Sequence, residues 1–275
     1  MSALSIHHRP RLAGLIPEAF VLVPRVTDGA PPVVAVHGIQ REAAEMASLL
    51  VRAAEETGRT IVLPLFERKP WRRFQQAACP ARSDWALLRL LAALKAEGRI
   101  APGAIDLSGY SGGAQFAHRF TWLYPQMVRR LCATAPGWWT YADPGVAYPY
   151  GIGTGDDSSV AAYFQANLKA FLSREIIVRV GALDTLRDDK LRVSPELDHQ
   201  QGLHRVERAE RWVRHIEAAR AEHGLPASVD FRILPDCAHS FSDCVAQAGL
   251  DMEFVVPSGS GRAAFPSPLI TKEVA

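Results

Sequence analysis

The sequence predicts an α/β protein with a mostly parallel central sheet flanked by helices. Three observations carry this. Short apolar runs alternate with longer stretches of helical spacing along most of the chain. One of those runs, Val33-Val34-Ala35-Val36, is apolar without interruption, as a strand covered on both faces must be. The chain has 275 residues, 48% of them hydrophobic, enough to build one large core, so residues 1–275 are expected to form a single domain.

The elements follow in order. A strand over Ala19 to Val26 is expected to pair with the segment around Ile6 to Leu12, and "PPVVAVHG" supplies the next strand. "EAAEMASLLVRAAEETG" reads as a helix stopped by Gly58, and "TIVLPLF" as a strand. "SDWALLRLLAALKAEG" reads as a helix with Ser83 as N-cap, with Leu87, Leu90, Leu91 and Leu94 on one face. "AIDLSGYS" and "RLCATAP" are two further strands, separated by a helix from Gly112 to about Leu123 that Pro125 helps to end. After this sixth strand, residues 138–160 are rich in Gly, Pro, Tyr and Trp and read as a long loop or small cap; loops of that length in compact domains often bind ligands. "REIIVRVG" is a strand, "QQGLHRVERAERWVRHIEAARAEHG" one long charged helix, and "VDFRILPD" the last strand. Residues 257–275 read as an irregular tail.

Composition narrows the function classes. A formal charge of +2 with 22% charged residues gives no electrostatic footprint for nucleic acid. The N-terminus lacks the apolar core of a signal peptide, and no window approaches the roughly 18 apolar residues of a membrane span. A cytoplasmic protein with small-molecule partners is the expectation; oligomeric state is left open. Cys79, Cys132, Cys237 and Cys244 contain no C-x-x-C pair and match no zinc ligand set, so they read as reduced and packed. Nothing in the sequence asks for a metal or cofactor. His7 and His8 have no third ligand at metal spacing and read as surface residues, and "GIGTGD" (Gly151 to Asp156) has neither a strand before it nor a lysine after it. "ERKPWRRFQQ" reads as a solvated loop, with a basic pocket rim as the sharper alternative.

Chemistry is concentrated in "GYSGG". Ser111 falls where a strand ends and a helix begins, with Gly109 and Gly113 two residues to either side, the G-x-S-x-G pattern of a nucleophile elbow. A hydroxyl presented on so sharp a turn projects beyond the sheet, and the crowded backbone favours glycine at the flanking positions. The amide of the next residue, Gly112, can then meet a developing oxyanion. A serine hydroxyl needs a base. His239 follows the last strand among small residues, whereas His118 lies on the helix behind the elbow, and His199, His204, His215 and His223 belong to or border the charged helix. The base needs an orienting carboxylate. Asp184 stands directly after a strand, at the sheet edge where ligands of such folds collect, with Asp188, Asp189 and Asp143 as rivals. The second oxyanion donor is expected from the loop "HGIQ", as the amide of Ile39 or Gln40, with His37 bracing that loop. Tyr110, Trp138, Trp139 and Tyr141 are candidates to line an acyl pocket.

These segments, in the order Ser111, Asp184, His239, resemble the α/β-hydrolase superfamily over most of the chain. "HGIQREAAEMA" and "GYSGGAQFAHRF" resemble its esterase branch of polyhydroxybutyrate depolymerase-like and dienelactone hydrolase-like enzymes. The resemblance implies a serine hydrolase that cleaves carboxylic esters of small or medium substrates through an acyl-enzyme. The same residues would serve a peptidase or an acyltransferase, and the same scaffold a non-catalytic binder.

Overall fold

The structure is a computed structural model, and it describes residues 4–155 and 158–256. Eight strands form one sheet: β1 (Leu4–Arg9), β2 (Glu18–Pro24), β3 (Val33–Val36), β4 (Ile61–Leu65), β5 (Ile105–Tyr110), β6 (Val128–Thr134), β7 (Glu175–Gly181) and β8 (Asp230–Leu234). Their spatial order is β1-β2-β4-β3-β5-β6-β7-β8. The N-terminal strands β1 and β2 pair antiparallel with each other, and β2 pairs antiparallel with β4. From β4 to β8 every pairing is parallel. β3 and β5 are buried along their whole length; β3 is accordingly apolar throughout, while β5 buries Asp106 and Ser108 with hydrogen-bond partners.

Helices cover both faces. On one, α1 (Ala43–Thr57) packs with α7 (Phe241–Ala248) and α8 (Leu250–Val255); on the other, α3 (Gly112–Leu123) packs with α4 (Ser158–Leu172), and α4 with α6 (Arg205–Glu222). α2 (Ser83–Ala96) buries Leu87, Leu90, Leu91 and Leu94, and a short α5 (Pro195–Gln201) precedes α6. α1 ends as expected at Gly58, whose φ of 65° gives the left-handed C-cap.

Local expectations are corrected in four places. Ser83 lies inside α2; the N-cap is Arg82, and the Ser83 hydroxyl instead donates to the carbonyls of Phe74 at 2.8 Å and Ala77 at 3.1 Å. The long charged helix is two helices, because Gly202, with φ 106°, breaks the chain direction between α5 and α6. Residues 158–172 form α4, which takes over the end of the segment read as loop; residues 156 and 157 of that segment lie outside the described residues. In "ERKPWRRFQQ", Trp71 and Phe74 belong to the core while Arg68, Lys69, Arg72 and Arg73 are exposed. The tail 257–275 lies outside the described residues. All four cysteines are free and buried. No helix among the described residues is long and apolar enough to cross a membrane.

Candidate active site

The site forms at the carboxyl edge of the parallel sheet, where β3, β5, β7 and β8 each end in a loop. β5 passes into α3 within one residue. Ser111 takes φ 53° and ψ −115°, a conformation that L-residues adopt only when their surroundings impose it. Its amide donates to Thr134 O at 2.8 Å, which ties the turn to β6. The flanking glycines are required by close approach: a Cβ on Gly113 would fall 2.0 Å from Val36 O, and one on Gly109 would fall 2.3 Å from Gly113 O. No side chain fits there, and this is the physical content of the G-x-S-x-G spacing.

The loops after β7 and β8 are stitched to each other. Leu183 N donates to Cys237 O at 2.9 Å, and Asp184 N to Gly181 O at 3.0 Å. This brings His239 between the two other residues: its Nδ1 lies 2.7 Å from Asp184 Oδ2 and its Nε2 3.1 Å from Ser111 Oγ. Three side chains separated by up to 128 positions thus form one hydrogen-bonded line. Asp184 is 2% exposed, whereas Ser111 at 8% faces a cleft. The ring of Tyr110 stacks on His239 at 5.2 Å between centroids and meets Phe241 edge-on, which holds the imidazole in its plane. Burial pushes the Tyr110 hydroxyl well above its ordinary range, so it stays neutral.

The loop after β3 closes the other side. A Cβ on Gly112 would sit 3.2 Å from Ile39 N, so the two main-chain segments lie against each other. Neither amide donates to an acceptor among the described residues, as two free N–H groups beside Ser111 must not if they are to receive an oxyanion. Of the two loop candidates, Ile39 is the one placed against Gly112, while Gln40 is exposed at the rim of the cleft. His37 braces this loop: it accepts from Phe66 N at 3.0 Å through Nε2 and donates through Nδ1 to Gly38 O at 2.7 Å. Burial lowers its pKa to about 4, so the ring is neutral and can do both. Arg41 adds a second brace, donating to Ile39 O and Phe66 O at 2.7 Å each.

The cleft measures about 150 Å³ and is lined by Ser111, His239, Tyr110, Ile39, Met46 and Phe241 among others. Of the four aromatic candidates, Tyr110 lines this cleft. Trp139 stacks on Trp212 of α6 at 4.1 Å, Tyr141 packs against His215, and Trp138 lies under the guanidinium of Arg119 at 4.0 Å. None of the three lines the cleft; Trp139 and Tyr141 pack against α6 and Trp138 against Arg119 of α3, and His215 is thereby half-buried rather than part of a solvated face. The basic residues of "ERKPWRRFQQ" are likewise absent from the cleft wall. Asp143 accepts from Gly145 N in its own turn, and Asp188 caps the turn leading to Leu191. Sequence reasoning missed Arg205, which is 1% exposed and donates to Asp184 Oδ1 at 3.1 Å. Nothing distinguished it from its neighbours in an arginine-rich helix. It also missed Glu42, Glu45 and Lys190 on the cleft wall.

No family model matches the chain, and no curated protein matches it. Solved structures do. Poly(aspartic acid) hydrolase-1 from Sphingomonas sp. KT-1 superposes with a TM-score of 0.73 at 23% identity, covering 92% of this chain and 98% of the other. A poly(3-hydroxybutyrate) depolymerase from Bordetella parapertussis gives 0.72 at 21% identity, covering 91% and 94%. An S-formylglutathione hydrolase from Agrobacterium tumefaciens gives 0.58 at 16% identity, covering 93% and 97%. The eight-stranded sheet, the elbow at the end of β5 and the extent of these superpositions together show that the chain has the α/β-hydrolase fold.

Proposed function

We propose that the protein is a serine hydrolase that cleaves carboxylic esters of small or medium substrates through an acyl-enzyme. The observation that carries the reading is the unbroken line from Ser111 Oγ through the imidazole of His239 to Asp184, opening on a cleft beside two unengaged amides. In this reading Ser111 attacks the ester carbonyl while His239 Nε2 takes its proton. Asp184 holds the ring in the tautomer with Nδ1 protonated and stabilises the imidazolium. The amides of Gly112 and Ile39 receive the oxyanion. His239 then protonates the departing alkoxide, and by the same steps it activates the water that releases the acid.

The neighbouring structures support ester chemistry, since they include a poly(3-hydroxybutyrate) depolymerase, a ferulic acid esterase and a carboxyl esterase. A cleft of about 150 Å³ suits a compact acyl or alcohol group. Four free, buried thiols agree with a reducing, cytoplasmic setting. The test is covalent labelling by a fluorophosphonate together with hydrolysis of p-nitrophenyl esters of graded acyl length. Wild-type protein is expected to show both, and Ser111→Ala to lose labelling and at least about 10⁴-fold in kcat. A folded Ser111→Ala protein with undiminished esterase activity would refute the assignment.

A further inference from the structure

Asp184 has a second partner. While Oδ2 faces His239, Oδ1 accepts from Arg205 Nη1 at 3.1 Å, and the other arm of the same guanidinium, Nη2, reaches Asp188 Oδ1 at 3.3 Å. Arg205 is the first residue of α6, and its side chain is 1% exposed, as is that of Asp184. Asp188 in turn accepts from the amides of Lys190 at 3.1 Å and Leu191 at 2.8 Å, which shapes the turn carrying Lys190 to the cleft wall. A single planar fork therefore spans the carboxylate behind His239 and the turn beside the cleft.

Charge balance gives this arrangement a consequence. A guanidinium facing Asp184 alone would cancel the negative charge that supports the imidazolium. The second carboxylate restores it: one arginine and two aspartates leave one net negative charge next to His239. We propose that Arg205 and Asp188 act together as a positioning and charge-setting pair for His239, Arg205 holding the Asp184 carboxylate in place and Asp188 returning the charge that Arg205 removes. Burial alone would raise the Asp188 carboxyl, yet its attraction and hydrogen bond to Arg205 and the amide of Leu191 keep it below its ordinary value, so it is ionised when this balance operates. The other groups around His239 are fixed across the comparison below: Ser111 and Tyr110 from the end of β5, Asp243 and Cys244 from α7, and Glu42, Glu45 and Lys190 on the cleft wall.

The assignment of His239 as the base rests on the proposed function, so the test uses a readout that needs no substrate. The ring of His239 is titrated by NMR in full-length protein, its signals identified by their loss in His239→Gln. Removing the cation in Arg205→Met is expected to move the titration midpoint up by about one pH unit, and removing the anion in Asp188→Asn to move it down by about half a unit. Arg205→Lys keeps the charge without the fork, so its midpoint stays near wild type while kcat on an ester falls about tenfold. The acidic limb of kcat/KM follows the NMR midpoints in each variant. Asp188→Asn alters a side chain that is 33% exposed, so it reports even if Arg205→Met fails to fold. Opposite shifts support the proposal; shifts of the same sign, or none in the variants that fold, overturn it. Opposite NMR shifts in a protein without esterase activity would leave this charge balance standing and refute the proposed function instead.

Discussion

Asp106 and Asp184 are both buried aspartates facing arginine, and they stand at opposite edges of one sheet. Asp106, at the start of β5, is surrounded by permanent cations: Arg129 grips it with two bonds of 2.9 and 2.6 Å, Arg59 approaches to 2.8 Å and Arg130 to 3.4 Å. The same arginines reach the end of α8, where Arg130 donates to the carbonyls of Phe254 and Val256 and Arg59 to that of Val255. Here the charges lock the last described helix onto the sheet and leave the carboxylate nothing further to do. Asp184 has one arginine, and its other oxygen faces the imidazole of His239. A carboxylate saturated by fixed cations contributes to stability; one that leaves an oxygen to an imidazole can orient that ring and, in the proposed function, support its positive charge. What the second gives up in rigidity it gains in chemistry.

The comparison breaks most visibly at the end proposed to be catalytic. Asp184→Asn should leave the fold in place and lower kcat on an ester by about 10⁴-fold, read in steady-state kinetics beside a far-ultraviolet spectrum. At the other end the effect should invert. Asp106→Asn leaves Arg59, Arg129 and Arg130 without their shared counter-charge, and denaturant unfolding is expected to show a loss of about 3–5 kcal/mol, with kcat of the folded fraction within about twofold of wild type. A kinetic collapse in Asp106→Asn would dissolve the division of labour.

A third buried group lies between these extremes. His37 is held neutral by burial, with a pKa lowered from 6.5 to about 4. The folded protein resists the proton that the unfolded chain accepts, so this contribution is full above about pH 6.5 and is lost as pH falls toward 4, amounting to about 3 kcal/mol. His118, also pushed down by burial, acts in the same direction. Thermal midpoints of His37→Gln between pH 7 and 4 should therefore fall less steeply than those of wild type. The smallest effect is expected at Tyr141, whose buried hydroxyl has no partner among the described residues. Tyr141→Phe should change stability by no more than about 1 kcal/mol and leave kcat/KM within about twofold, whereas a large change in KM would restore this residue to the substrate pocket.

Much of the site was legible in the sequence because its demands are local. The elbow needs glycine where backbones nearly touch, and Gly109 and Gly113 answer to contacts at one strand end. Asp184 and His239 follow their strands within a few residues, and Gly58 stops α1 where a left-handed residue is needed. The misreadings have a common cause. Trp139 and Tyr141 are apolar enough for either a pocket or a core, and only the approach of α6, more than sixty residues later, decides for the core; Trp138 is covered instead by Arg119 of α3. Ser83 carries the usual N-cap side chain, yet two buried carbonyls of the preceding turn claim its hydroxyl.

The sequence by itself determined the order of strands and helices, the strained serine and the presence of an aspartate and a histidine just after later strands, because backbone sterics and hydrophobic periodicity act over a few residues. Tertiary structure alone decided which arginine of many is buried against Asp184, which aspartate balances it, and which aromatics stay out of the cleft. Those outcomes depend on desolvation and on distances between side chains far apart in the chain, and neither quantity exists until the sheet has assembled.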